Sequence, residues 1–333
     1  MPKGHLYCFL FKFLTANLFF SFGDSVTIQL FFMPKRSNYW LGAGLVFGAA
    51  FGFALKGIFI KSAYQYGIST ISLLTLRFLF AAPFYIVILF RKKIKDKTSL
   101  QVPIATWAKL FAVGIMGYYV SAYFNFLSFN YISASLERIL LFVYPTFVLI
   151  LRAILLKKKI TRLQWLALGI TYLGIVLAFL KNFDADQQKN IGLGAFWVIL
   201  SGFTYAFYLI SSDDLISKLG STRFTSWVII SALFPTLIHC YLENGLNILN
   251  FPRPVYIISL SMAVFSTVLP TFMLSEGIKH VGSGNASIIA SIGPIFTIFL
   301  ATVFLAEKIW LEQIIGTAFV LIGVFLISWK GKK

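Results

Sequence analysis

Charged residues are scarce in this chain. Asp, Glu, Lys and Arg make up 12% of its 333 residues and hydrophobic residues 59%, whereas about a quarter of an average soluble domain is charged. The shortage excludes an ordinary soluble fold, because such a fold could not shield so many long apolar runs from water. A bilayer accommodates them, since about 20 consecutive apolar residues form one helical crossing. The composition therefore predicts an all-α integral membrane protein.

Cysteine and histidine are also rare, which argues against metal and redox sites. Cys8 and Cys240 form no CxxC pair, so neither a disulfide framework nor a thiolate metal site is expected. No two of the three histidines share a predicted helical face: His5, His239 and His280. We therefore expect no metal and no cofactor. The sequence has no phosphate-binding loop that ends in Gly-Lys-Ser or Gly-Lys-Thr, which disfavours ATP-driven transport.

Acidic residues are the scarcer charge, 11 against 29 Lys and Arg, and the formal net charge is +18. This excess does not indicate a nucleic-acid partner, because the basic residues are concentrated in short loops between apolar segments. One set of alternate loops holds most of them, including Lys92, Lys93, Lys157, Lys158 and Arg223. The positive-inside rule places such loops in the cytoplasm. The charge pattern therefore predicts that both termini are cytoplasmic.

Ten apolar segments are predicted to span the membrane, five in each half of the chain. In the first half they lie at approximately 40–60, 68–90, 109–129, 133–156 and 163–180. In the second half they lie at 191–210, 224–242, 255–274, 283–305 and 309–329. Because each half holds five helices, an odd number, the second half must enter the membrane in the opposite orientation.

A stretch of fifty residues occurs twice, at 131–180 and 280–329, with a constant offset of 149 (280 − 131). The offset places identical residues at matching positions, among them Pro145 and Pro294, Gln164 and Gln313, and Gly174 and Gly323. A duplicated membrane hairpin is typical of transporters built from two related halves. The sequence thus predicts two inverted repeats, at 33–182 and 183–333.

The N-terminal residues 1–32 are apolar, but Lys12, Asn17 and Asp24 interrupt them before they reach spanning length. A second start-like run, Met-Pro-Lys-Arg, begins at Met33, and no convincing signal-peptide cleavage site precedes it. Two interpretations stay open. Residues 1–32 are either an extension upstream of the true start at Met33 or an interfacial segment that lies on the membrane.

Pro145 and Pro294 each lie near the middle of a predicted helix. A proline there removes the hydrogen bond to the carbonyl four residues back, Leu141 or Ala290, and bends the helix. Free carbonyls at mid-membrane depth must face protein or water. A single proline is tolerated in membrane helices without any function, but two at matching positions predict a pair of hinges beside a central cavity.

Four ionisable residues lie inside predicted spans: Lys56, Arg77, Glu137 and Arg138. Facing lipid would cost each at least about 2.5 to 3.5 kcal/mol, and all four fall in the outer half of the bilayer at about 1.5 Å per residue. Three cations and one carboxylate sum to +2, which predicts a substrate pathway that attracts anionic groups. Arg77 is expected to be its main charge, and Glu137 a pairing partner or a proton carrier. The alternative is that the side chains snorkel to the interface, which suits Arg77 least because it is the deepest.

Small and aromatic residues also recur inside the predicted spans. Glycines on the first helix of each half, such as Gly48, Gly52 and Gly202, are expected to let helices approach closely. Six tyrosines at depth either line the pathway or pack in the core: Tyr118, Tyr119, Tyr123, Tyr144, Tyr205 and Tyr208.

These motifs resemble those of the drug/metabolite transporter superfamily, specifically its EamA-type ten-helix group. The resemblance rests on Leu76-Arg77-Phe78, on Ser133-Ala134-Ser135 ahead of Tyr144-Pro145, and on Asn285-Ala286-Ser287 ahead of Gly293-Pro294. Leu305-Ala306-Glu307-Lys308 is similar to the short glutamate-containing turn between the ninth and tenth helices of the family. The first half departs from the pattern, with Lys158 where the family commonly has glutamate. The resemblance covers residues 40–330.

The resemblance implies a multi-pass plasma-membrane protein, in the bacterial inner membrane, that moves small metabolites. We expect a secondary active transporter that works by alternating access and favours amino acids or related carboxylate-bearing compounds. Its expected partners are the bilayer, the substrate, and a coupled proton or an exchanged solute; the sequence does not fix its oligomeric state. The alternative is a polytopic membrane enzyme acting on lipid-linked substrates. Such an enzyme would concentrate His, Asp or Glu at one interface, a pattern missing here, so we do not expect an enzyme.

Overall fold

The computed structural model describes residues 39–95, 103–155, 157, 159–180, 190–245 and 247–329. The predicted extension at 1–32, the start at Met33, Lys158 and the tail after residue 329 lie outside these residues. Within the described part the chain forms helices and no strand. This confirms the all-α prediction.

The first half contains five apolar helices. Helix α1 is Tyr39–Tyr64 and helix α2 is Thr70–Lys95. Helix α3 consists of α3a, Ile104–Gly114, a π-helical segment, Ile115–Val120, and α3b, Ser121–Ser128. Helix α4 is divided into α4a, Ala134–Leu141, and α4b, Tyr144–Leu155, and helix α5 is Arg162–Leu180.

The second half follows the same order. Helix α6 is Ile191–Leu219 and helix α7 is Ser221–Asn244, followed by a 3₁₀ turn, Asn247–Leu249. Helix α8 consists of α8a, Arg253–Ala263, a π-helical segment, Val264–Val268, and α8b, Leu269–Ala290. Helix α9 is Gly293–Leu305 and helix α10 is Leu311–Trp329.

Seven stretches of the described residues are long and apolar enough to cross a membrane: Tyr39–Tyr64, Thr70–Phe90, Ile104–Ser128, Ala134–Leu155, Ile191–Ser212, Thr222–Asn244 and Arg253–Val281. Three shorter apolar helices are Arg162–Ala178, Gly293–Leu305 and Leu311–Leu326. These ten elements occupy the regions of the ten predicted segments. The chain is therefore a multi-pass membrane protein, and the crossing of the bilayer by all ten helices, with both termini inside, stays a prediction.

The two halves share two irregularities at equivalent positions. Their π-helical segments start at Ile115 and Val264, which are 149 residues apart (264 − 115). Each half also has a two-residue break between helical segments, at Phe142 and Val143 in the first half and at Ser291 and Ile292 in the second. These breaks are likewise 149 residues apart (291 − 142). The duplication seen in the sequence therefore extends to the third helix of each half and includes its backbone irregularity.

The first helix of each half packs against the other half. Helix α6 packs on α3b, α4a and α4b of the first half. In return, Gly48 and Gly52 of α1 approach Met273 and Pro270 of α8b, and the ring of Phe296 in α9 packs on α1. Helix α2 also contacts α7, and α5 contacts α10. This reciprocal exchange is the pattern expected of two repeats related by a twofold axis, and the inversion of the repeats stays a prediction.

Helices α5 and α10 approach most closely at glycines. A Cβ atom on Gly174 would lie 2.5 Å from the carbonyl oxygen of Gly316 and 2.8 Å from the backbone nitrogen of Val320. Such distances are far inside van der Waals contact, so only glycine fits without a shift of the backbone. Small residues at the contact of membrane helices have this effect generally.

The two prolines do not lie in the middle of continuous helices, so that prediction is wrong. Pro145 lies in the first turn of α4b, and Pro294 in the first turn of α9, each just after a break in the helix. Proline is favoured there because the first amides of a helix have no intrahelical acceptor. Tight turns form the breaks, with Val143 N donating to Leu140 O at 3.0 Å. A hinge role for these positions stays a prediction.

The predicted start of the ninth segment at residue 283 is also wrong. Residues 283–290 continue α8b, and α9 begins only at Gly293. The difference from the first half has a local cause. The start of α4a is capped by Ser133, whose Oγ accepts from Leu136 N at 3.2 Å, whereas the equivalent residue (133 + 149) is Gly282. Without a capping side chain, no new helix start is stabilised there.

Candidate functional site

The structure brings the four ionisable residues predicted for the pathway into one region. They come from three helices of the first half: Lys56 from α1, Arg77 from α2, and Glu137 and Arg138 from α4a. Lys56 lies within electrostatic range of the other three. The clustering itself could not be read from the sequence, because these residues are up to 82 positions apart (138 − 56).

Glu137 is held by Lys56 and Asn125. Its side chain is 2% exposed and forms an ion pair with Lys56, with 3.8 Å between Nζ and Oε1. Asn125 Nδ2 donates a hydrogen bond to the same oxygen, and Lys56 Nζ donates to Asn125 Oδ1 at 2.6 Å. Asn125, on α3b, is a member of the site that the sequence analysis missed. An uncharged polar residue in an apolar span is the signal that could have pointed to it.

Arg77 is buried without an acidic partner among the described residues. Only 7% of its surface is exposed, and its Nε donates to Thr267 Oγ1 at 2.9 Å. The guanidinium carbon lies 5.3 Å from the ring centre of Phe78 and 5.4 Å from that of Phe126. These cation–π contacts offset part of the cost of desolvating the charge, but they do not neutralise it.

Two equivalent positions of the repeats surround Arg77. Thr267 belongs to the π-helical segment of α8, and Tyr118, which lies within electrostatic range of Arg77, belongs to that of α3. The two are 149 residues apart (267 − 118). Arg77 therefore lies where the halves meet, next to the backbone irregularity that both share. Single π-helical turns inside α-helices frequently occur at functional sites.

Arg138 is the second cation without an acidic partner in the described part of the chain. Its guanidinium carbon lies 5.9 Å from the ring centre of Phe142, and its Nε is buried with no hydrogen-bond partner among the described residues. Its Nη2 occupies the space where a Cβ on Gly293 would lie. The glycine at the start of α9 therefore lets a first-half arginine reach the second half.

Three of the tyrosines are half-buried beside a fourth that is buried. Tyr118, Tyr144 and Tyr205 keep exposed surface. Their rings form a series with the buried Tyr208, with centroid distances of 5.5 Å from Tyr144 to Tyr205, 5.6 Å from Tyr205 to Tyr208 and 5.5 Å from Tyr208 to Tyr118. The side chain of Lys56 is 19% exposed and therefore also keeps accessible surface. Tyr208 therefore packs in the core, and a pathway role for the other three stays a prediction.

Tyr119 and Tyr123 contact His239 of α7 instead. The Tyr119 hydroxyl lies 2.9 Å from His239 Nδ1, and Nε2 lies 3.3 Å from Glu243 Oε2. Within the described residues, no three His, Cys, Asp or Glu side chains come together to hold a metal ion. Cys240 is buried as a free thiol.

The fold defines a class of protein. A multi-pass helical membrane protein of two related halves is typical of secondary transporters. The comparisons with known proteins agree with the fold and the class. The sequence pattern of the EamA-like transporter family matches residues 40–180 and 192–329. The chain belongs to that family, as the resemblance in the sequence predicted.

Relatives across bacteria and archaea carry transporter names. The uncharacterized transporter YcbK of Bacillus subtilis is 32% identical over 281 residues, which cover 83% of this chain and 87% of the relative. An uncharacterized transporter of Archaeoglobus fulgidus is 27% identical, covering 79% of this chain and 90% of its own length. A probable terminal-alkyne amino-acid exporter of Streptantibioticus cattleyicolor is 39% identical over 59 residues, 18% of this chain and 20% of its own. A solved crystal structure with a TM-score of 0.60 and 11% identity covers 88% of this chain and 99% of its own, which shows the fold.

Proposed function

We propose that this protein is a secondary active transporter that carries a small carboxylate-bearing metabolite, such as an amino acid or a related acid, across the plasma membrane. The observation that carries the proposal is Arg77, a buried guanidinium without an acidic partner among the described residues, placed where the two halves meet. A charge in such a position is costly unless something neutralises it. A substrate carboxylate would do so.

Arginine suits this role because of its shape. The planar guanidinium can hold a carboxylate through two parallel hydrogen bonds, and its charge persists when it is buried. Arg77 uses Nε for Thr267, and none of the hydrogen bonds found within the described residues uses its terminal nitrogens. In a low-dielectric cavity a fixed positive charge attracts an anion more strongly than it does in water. The short match to an amino-acid exporter supports the same substrate class.

The architecture supports alternating access as the mechanism. The halves contact one another through reciprocal helix pairs, so rocking of one half against the other would open a central pathway to each side in turn. The breaks in α4 and between α8 and α9 lie beside Arg138 and supply positions where φ and ψ can change. A coupled proton or an exchanged solute would supply the driving force, and we propose Glu137 as the carboxylate that would carry such a proton.

The proposal is tested by transport into proteoliposomes of the purified protein. The panel contains butyrate, succinate, glutamate, phenylalanine and, as a carboxylate-free cation, tetraphenylphosphonium. We expect saturable uptake of at least one carboxylate and none of the cation above the level of protein-free liposomes. Uptake of the cation alone would contradict the proposal. Repeating the assay with inward and outward proton gradients distinguishes proton coupling from exchange.

A further inference from the structure

The turns between the last two helices of each half share one unusual backbone conformation. Lys157 has a φ of 52° and Ala306 a φ of 53°, and within the described part of the chain they are the only residues other than glycine with a positive φ. The two are equivalent in the repeats (306 − 157 = 149). Because this left-handed conformation is unfavourable for a residue with a Cβ atom, its occurrence at both positions indicates that the halves share one shape of turn.

In the second half, the residue after this turn position joins the two halves. The carboxylate of Glu307 accepts hydrogen bonds from Ala134 N at 2.7 Å and from Ser135 N at 3.1 Å, the first amides of α4a. The Ser135 hydroxyl donates to the same carboxylate at 2.7 Å. We call this contact, between Glu307 and the start of α4a, the inter-half cap. It connects a turn of the second half to a helix of the first.

The first half cannot form the same contact at the opposite end of α4. The residue equivalent to Glu307 (307 − 149) is Lys158, and an ammonium group only donates hydrogen bonds, so it cannot cap backbone amides. The positions equivalent to the start of α4a are Ser283 and Gly284, which lie inside α8b and not at a helix start. The two faces of the protein therefore differ, because only one of them has the chemistry for such a cap.

An ion pair joins the halves closer to the other face. Lys109 Nζ lies 2.9 Å from Asp214 Oδ2, and both side chains are 47% exposed. Exposed ion pairs contribute little to stability. This pair also connects α3a with α6, two helical segments that already pack together. It is therefore a weaker restraint on separation of the halves than the inter-half cap.

The inter-half cap lies where opening of one face would affect the candidate site. The loop charges predict that both the start of α4 and the turn between α9 and α10 are external. Helix α4a is only eight residues long and is separated from α4b by the break at Phe142 and Val143. It carries Glu137 and Arg138. A movement of its N-terminal end would therefore be transmitted to both of these side chains.

We infer that the inter-half cap holds the external face closed, and that this face opens when Glu307 releases the start of α4a. The inference rests on the proposed function, because alternating access requires each face to open in turn. It goes beyond that function by naming the contact that opposes one of the two openings. The cytoplasmic face has no equivalent contact among the described residues, so it opens against less resistance.

The test measures spin-label distances across each face in nanodiscs by double electron–electron resonance, with both native cysteines replaced by alanine. One pair reports the external face, at Asn130→Cys and Leu311→Cys, and the other the cytoplasmic face, at Lys159→Cys and Lys279→Cys. All four positions are exposed.

Glu307→Gln keeps the size of the side chain but removes its charge, and its amide group would meet the donor Ser135 N. The variant is expected to raise the population with a long external distance about tenfold or more, as loss of one charge-assisted hydrogen bond implies. The cytoplasmic distance is expected to shorten at the same time. Ser135→Ala, which keeps both backbone bonds, should give a smaller change in the same direction, and Glu312→Gln should change neither distance.

The reciprocal change is what distinguishes a gate from a purely structural cap. Wild-type distances in a folded Glu307→Gln protein, or an external change without a cytoplasmic one, would overturn the inference and leave the proposed function standing. If Glu307→Gln does not fold, the same two outcomes in Ser135→Ala decide. Reciprocal changes in a protein that transports no carboxylate would support the inference and overturn the proposed substrate class.

Discussion

Glu307, in the turn between α9 and α10, caps the helix that begins at Ala134 in the other half of the chain. Its Oε1 accepts from Ala134 N at 2.7 Å, and its Oε2 accepts from Ser135 N at 3.1 Å and from Ser135 Oγ at 2.7 Å. A carboxylate at a helix N-terminus satisfies amides that have no intrahelical partner. The turn glutamate that carried part of the family resemblance therefore fixes the start of α4a, the helix that holds Glu137 and Arg138.

Replacing Glu307 by Gln should destabilise the protein, because three charge-assisted hydrogen bonds become weaker or are lost. We expect a cost on the order of 1 to 3 kcal/mol, seen as a lower thermal unfolding midpoint in detergent. Glu312→Gln is the matched control, because it removes a carboxylate from the first turn of α10. Equal midpoints for the two variants would mean that the cap contributes nothing.

Two glycines on α5, one in close contact with α10 and one not, allow the effect of packing on stability to be measured apart from the effect of helix propensity. Gly174→Ala should destabilise the protein by about 1 to 3 kcal/mol, as overpacking does generally, because its Cβ would meet the backbone of α10. Gly169→Ala, on the same helix, has nothing within 4 Å of the new Cβ and should be neutral or stabilising. The two thermal midpoints are compared in one detergent. A neutral Gly174→Ala would show that α5 and α10 are not in close contact.

The prolines next to the helix breaks are predicted to matter for turnover. Pro145→Ala restores an amide that can donate to Leu141 O, which favours a continuous α4 and a stiffer element. Pro294→Ala does the same before α9. Transport rate per folded protein should fall in both variants, with expression less affected. Pro83→Ala, at an exposed proline inside α2, is the control, and unchanged turnover in all three would remove the hinge hypothesis.

Orientation follows from the loop charges and is independent of the site. A reporter fused after Lys333 should be cytoplasmic, and one inserted near Asp186 should be external. An insertion near Lys97, in a basic loop, provides a second cytoplasmic point. An external C-terminus would contradict both the ten-helix count and the inversion of the repeats.

The repeat and the helices could be predicted from the sequence, because apolar segments of spanning length and a constant offset are properties of the residues themselves. The positions of Pro145 and Pro294 were misjudged for a physical reason. A proline in an apolar run is compatible both with a bent helix and with the first turn of a new one, and only tertiary contacts decide between them. The start of the ninth helix was also predicted wrongly. The alignment of the repeats implied a helix start like that at Ser133 in the first half, but the equivalent residue, Gly282, has no side chain that could cap a helix there.

The charged residues of the candidate site could be singled out from the sequence, but their pairings could not, and their role in transport stays a prediction. A charge within a span is costly in lipid, which singled out Lys56, Arg77, Glu137 and Arg138. The hydrogen-bond partners of these charged residues could not be predicted from the sequence, because Asn125 and Thr267 are uncharged and belong to common residue types. The pairing of Glu137 with Lys56, which leaves both arginines without an acid among the described residues, depends on side-chain placement across three helices.

The most direct test of the account is transport by Arg77→Gln. In proteoliposomes, this variant should lose uptake of every carboxylate that the wild-type protein transports by about tenfold or more, as loss of a charge-assisted hydrogen bond implies, while its thermal unfolding midpoint shows that it is folded. Arg77→Lys should retain part of the activity, and Arg253→Gln, at an exposed arginine at the start of α8a, should retain all of it. Wild-type rates in a folded Arg77→Gln protein would contradict the assignment of Arg77 to the substrate.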